Sequence, residues 1–190
     1  MILHSGTFRI NKSLLHLGDS TLGTGYFTQP SLCADRIVFV CEDDLWEVDS
    51  SGGQARRLTN SRSEIKTPYL DPSGKWIACC AKEEGDPDVY LMSADGGPLT
   101  RLTWLNSVTR IVGWTPDGSS ILFHSIHQAV HHRGSDAWLF KVGVDGGPVQ
   151  RLPFGPAVSL NHQQKGPGIV LARNSMNNSR WKRYRGGMVG

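Results

Sequence analysis

The chain has 190 residues, 38% of them hydrophobic and 19% charged, with a formal net charge of +3. Such a composition is that of an ordinary soluble protein with enough apolar material for one core. The charge is too small to argue for a nucleic-acid partner. No apolar run approaches the roughly 20 residues of a membrane-spanning helix, so no membrane partner is expected.

Residues 1–24 scatter His4, Arg9, Lys12 and His16 among apolar side chains. They show neither the apolar stretch nor the cleavage site of a secretory signal, and are expected to form an irregular leader. The first strand-like run is Ile37 to Cys41. Then three features recur in fixed order. An acid and an aromatic open a strand at Asp44-Leu45-Trp46, Asp88-Val89-Tyr90 and Asp136-Ala137-Trp138, spaced by 44 and 48 residues. A glycine pair follows at Gly52-Gly53, Gly96-Gly97 and Gly146-Gly147, where positive φ angles permit a tight bend. An Arg-Leu closes each unit at Arg57-Leu58, Arg101-Leu102 and Arg151-Leu152. It is expected to start the outermost strand. Asp71-Pro72-Ser73-Gly74 and Thr115-Pro116-Asp117-Gly118 read as further turns, with proline setting φ at the second position.

Runs of strand length lie between these turns: Trp76–Ala81, Val89–Ser93, Ile121–Ser125, Trp138–Val142 and, after Gly166-Pro167-Gly168, Ile169–Ala172. They are rich in β-branched and aromatic residues. Val89 and Leu91 would point one way, and Tyr90 and Met92 the other. A strand apolar on both faces belongs to a sheet stacked between other sheets. A β-sandwich also has short strands and regular turns, but a period of 40 to 50 residues points to a propeller. The fold expected is all-β, an incomplete β-propeller of four-stranded antiparallel blades over residues 25–190. The blades cover about 31–60, 61–104, 105–153 and part of a fourth, 154–190. Three and a half blades fall short of the roughly four to eight of a closed ring, which suggests a fragment. Cys33, Cys41, Cys79 and Cys80 form no CxxC pair and are expected as buried thiols of a cytoplasmic protein.

Arg36-Ile37-Val38-Phe39-Val40-Cys41-Glu42-Asp43-Asp44-Leu45-Trp46-Glu47-Val48-Asp49 resembles the opening of the first, six-bladed propeller of the tricorn protease family. Gly25-Tyr26-Phe27-Thr28-Gln29-Pro30 resembles the lead-in of bacterial members. Gly155-Pro156-Ala157, Arg173-Asn174 and Trp181-Lys182-Arg183-Tyr184-Arg185-Gly186-Gly187 resemble the fourth blade. The resemblance implies the N-terminal propeller of a large cytoplasmic serine peptidase that forms homo-oligomers and cuts peptides into small pieces. Its propellers serve as scaffold and as channel or filter, and its catalytic residues would lie beyond this chain. The family holds a peptide's terminal carboxylate with adjacent basic residues. In the loop Thr103 to Arg110, which enters the third blade, that pair is represented by Arg110 alone.

The residues themselves carry no GxSxG elbow, HExxH helix or phosphate loop, so no catalytic residue and no cofactor is expected. His124, His127, His131 and His132 could share a helical face and hold zinc. They fall, however, where a hairpin loop is expected, and the one acid that accompanies them, Asp136, is already used by the repeat at its strand start, so no metal site is assigned. Arg173, Arg180, Lys182, Arg183 and Arg185 surround Trp181 and Tyr184, a pattern that can clamp single-stranded nucleic acid, yet blade structure accounts for the segment. An alternative reading is a non-enzymatic, protein-binding propeller of the Tol type, whose blades also carry DG turns followed by RLT.

Overall fold

A computed structural model describes residues 26–60, 63–83, 85–127, 137–163 and 166–173. These residues are all strand, turn and loop. The first sheet holds β1 (Phe27–Cys33), β2 (Arg36–Cys41), β3 (Asp44–Asp49) and β4 (Arg56–Arg57). The second holds β5 (Glu64–Leu70), β6 (Trp76–Lys82), β7 (Asp88–Ser93) and β8 (Thr100–Arg101). The third holds β9 (Thr109–Trp114), β10 (Ser120–Ser125), β11 (Trp138–Gly143) and β12 (Gly146–Pro156). β13 (Ser159–His162) and β14 (Ile169–Ala172) pair as a fourth. Each sheet is an antiparallel meander in chain order. The first strands run alongside one another, β1 by β5, β5 by β9 and β9 by β13. The sheets therefore fan outward from an inner line of first strands, as the blades of an incomplete, unclosed propeller.

The two-faced strand Val89–Met92 behaves as its sequence requires. All four side chains are buried. Tyr90 and Met92 pack with Val38, Val40 and Leu45 of the first sheet. Val89 and Leu91 pack with Ile121, Phe123 and Phe140 of the third. Full burial of each such side chain contributes about 1.5–3 kcal/mol, so the seams between sheets are the core. All four cysteines are free thiols, and Cys79 and Cys80 sit one on each face of the second sheet.

The turns follow their chemistry. Gly74 and Gly118 adopt φ of 72° and 69° and close onto the carbonyls of Asp71 and Thr115 at 3.0 and 2.9 Å. The Asp71 carboxylate accepts bonds from the amides of Ser73, Lys75 and Trp76. Burial works against its ionised form, but a bond from the Ser73 hydroxyl together with these amides outweighs it and holds the carboxyl below the usual range. At the exposed second turn, bonds from Thr115 and Ser119 lower Asp117 to about 2.

Three details differ from the sequence reading. Arg57 and Arg101 end β4 and β8 instead of starting the outermost strand. The chain leaves the ladder there because the arginine reaches back to a buried aspartate while the next leucine, Leu58 or Leu102, enters the core. The outermost strand of the third sheet is much longer, running to Pro156, which pairs with Trp138. Pro156, near which the sequence reading opens a fourth blade, thus lies in the third sheet.

Candidate functional site on the inner strands

The repeated aspartate and RLT residues are structural. Asp44 accepts hydrogen bonds from Arg57 and, at 2.6 Å, from the Thr59 hydroxyl, which in turn accepts the Leu45 amide at 3.0 Å. Asp88 repeats the clasp with Arg101 at 2.6 Å and Thr103 at 2.7 Å, and Thr103 accepts the Val89 amide at 3.0 Å. Asp44 and Asp88 are both buried. A charged acceptor in such a place needs this full set of donors.

Exposed cations occur instead on the inner strands. Arg110 is the second residue of β9, a strand where the sequence predicts a loop. The strand begins at Thr109 because that hydroxyl is buried against Ser125 at 3.0 Å, which fixes the entry. Arg110 is exposed and is the cross-strand partner of His124 on β10. Lys66 stands at the matching place on β5, exposed, opposite Cys80 and ion-paired with Glu64 at 2.5 Å. Lys66 and Arg110 lie 44 residues apart, the same offset that separates the turn prolines Pro72 and Pro116. That offset was the signal that could have found Lys66, which no motif flags.

Behind Arg110, burial and then the arginine's charge push His124 down to about 4, so the ring is neutral at ordinary pH. Its Nδ1 is buried without a hydrogen-bond partner among the described residues. His127 turns its ring edge to Phe140 at 6.2 Å. His131 and His132 lie outside the described residues. Among the described residues no group of three His, Cys, Asp or Glu side chains could hold a metal ion. Of the basic-aromatic ending, only Arg173 is described, its guanidinium near the Pro156 carbonyl at 3.5 Å. Among the described residues no helix is long and apolar enough to cross a membrane.

The inner strands are also stitched to one another. The Thr67 amide donates to Gln29 Oε1, and the Ile111 amide donates to Thr67 Oγ1 at 3.3 Å. One step further along, the Leu70 amide donates to Ser31 Oγ at 3.0 Å and Trp114 Nε1 to the Tyr69 carbonyl at 2.9 Å. Both seams thus use equivalent positions. None of these pairings is legible in sequence, because the partners lie 38 to 45 residues apart. Chemically, this wall offers exposed cations on a rigid frame, an arrangement suited to an anionic group.

The model of the tricorn protease N-terminal β-propeller domain matches residues 24–190. Tricorn protease homolog 1 of Streptomyces coelicolor is 33% identical over 168 residues, covering 87% of this chain and 15% of that protein. The chain therefore spans about 15% of that relative's length. A crystal structure of the tricorn protease superposes with a TM-score of 0.68 at 25% identity, over 77% of this chain and 15% of the other. TolB from Acinetobacter baumannii superposes with a TM-score of 0.57 at 21% identity, over 77% of this chain and 40% of the other, a likeness of fold alone. With the family model spanning nearly all of the chain and the sheets fanned as the repeat requires, this protein belongs to the tricorn protease N-terminal β-propeller family.

Proposed function

We propose that this chain is the N-terminal propeller portion of a tricorn-like serine peptidase, acting as scaffold and as peptide channel or filter. The observation that carries the reading is the family match across residues 24–190. Peptide bonds would be cut by acyl transfer from a serine outside this chain. The parent enzyme would be a cytoplasmic homo-oligomer. Here the first strands would form part of the channel wall, and Arg110, with Lys66 one sheet away, would attract a peptide's terminal carboxylate. Arginine suits that task because its planar fork binds both carboxylate oxygens.

The test is to isolate the native gene product from cells without denaturation, identify every polypeptide in it by mass spectrometry, and assay it on fluorogenic peptides. Peptide cleavage abolished by a serine-reactive fluorophosphonate, from an assembly containing this chain and a serine-peptidase part, is expected. An isolated species with no peptidase part, found instead with envelope proteins, would overturn the reading in favour of a Tol-type binding module.

A further inference from the structure

Two inner-strand residues hold backbone conformations their side chains disfavour. Gln29 has φ of 55° and Thr67 has φ of 48°. Each directly precedes a proline, Pro30 or Pro68, at a register shift in its first strand. A β-branched residue with positive φ is an outlier, and the residue before proline normally stays extended. Such a conformation persists only where its surroundings over-determine it. Here the surroundings are the chain of bonds just described: Gln29 Oε1 accepts the Thr67 amide, and Thr67 Oγ1 accepts the Ile111 amide at 3.3 Å. Cys80, fully buried, lies against both the Thr67 hydroxyl and the Ile111 amide. The series stops at Ile111, whose side chain has no acceptor.

Ile111 follows Arg110 directly. The bond from its amide therefore fixes the peptide plane that carries the arginine. We propose that Thr67 is a positioning residue: its hydroxyl, held in place by Gln29, sets how Arg110 stands on the inner wall. This rests on the reading of Arg110 as a carboxylate anchor. The geometry explains why the sheet bearing the anchor is tied to its neighbour at that residue, and why the strain at Thr67 is tolerated.

The test uses the full-length protein with Thr67→Val, Thr67→Ser, Gln29→Ala and Arg110→Ala. Three quantities are read: amide exchange at Ile111, the His124 titration by NMR, and binding of a short peptide as free acid against its C-terminal amide. Valine keeps the β-branch but removes the acceptor. Thr67→Val is expected to speed Ile111 exchange about tenfold and to let His124 titrate closer to an ordinary histidine as Arg110 moves away. It should also cut the acid-over-amide preference about fivefold. Serine should restore all three, and Gln29→Ala should shift them partway. Unchanged Ile111 exchange in Thr67→Val would overturn the proposal. So would faster exchange with the His124 titration and acid preference intact. If Arg110→Ala leaves the acid preference untouched, the anchor reading itself fails, and the positioning role with it; the exchange result then shows separately whether the bond exists.

Discussion

The second and third sheets are built on one pattern, yet among the described residues their outer edges are held by different contacts. In the second, the aspartate, arginine and threonine at 88, 101 and 103 form a buried polar clasp, and β8 is only two residues long. In the third, proline stands at 153 where threonine would be, and the guanidinium of Arg151 lies 4.5 Å from the centre of the Trp138 ring. β12 there extends for eleven residues, following a two-residue bend at Val144-Asp145 that joins it to β11. In the second sheet arginine, leucine and threonine all turn inward, and together they draw the chain out of the ladder. Without that pull, the outer strand keeps pairing. The prolines along β12 also remove donors that would otherwise invite another strand.

Breaking the clasp should give the largest effect. Asp88→Ala strands Arg101, Thr103 and the Leu105 amide, which the carboxylate accepts at 2.9 Å. A loss of about 3–5 kcal/mol is expected, read as a lower urea midpoint at unchanged slope. The third sheet instead carries its cost in His124. Its folded pKa of about 4 lies below the ordinary 6.5, so the unfolded chain binds the proton first. Stability should fall as pH drops from about 6.5 through 4, by up to about 3 kcal/mol. His124→Leu should flatten the midpoint-versus-pH curve within that window and leave it unchanged above.

Thr103→Val tests the clasp more gently. The fold is kept, but the Val89 amide loses its acceptor, and about 1–3 kcal/mol should disappear from chemical unfolding. The smallest effect belongs to the third sheet's contact between Arg151 and Trp138. Arg151→Ala removes the stacking on Trp138 and should cost about 0.5–1 kcal/mol, with a matching small drop in melting temperature. If Arg151→Ala costs as much as Asp88→Ala, the two sheets are closed by equal means and the contrast fails.

Much of the fold was legible in the residues because strands and turns depend on neighbours. Trp76, Trp138 and Ile169 each open a strand where alternation and turn chemistry put one. The two-faced Val89–Met92 run required sheets on both sides, and has them. The candidate site was less legible. Only a resemblance points to Arg110 in the sequence, which predicts a loop where the structure has β9. Lys66 was missed, since a lone lysine on a strand carries no local signal.

What the sequence determined by itself was the blade, its repeat and its turns. Backbone geometry at Gly74 or Pro116 is settled within a few bonds. Tertiary structure alone decided which buried donors meet which acceptors: Arg101 with Asp88, Thr67 with the Ile111 amide, Ser31 with the Leu70 amide. The last two join strands of different sheets and depend on how those sheets stack. Stacking is driven by non-directional burial of apolar faces, and polar partners are chosen only once those faces have come into register.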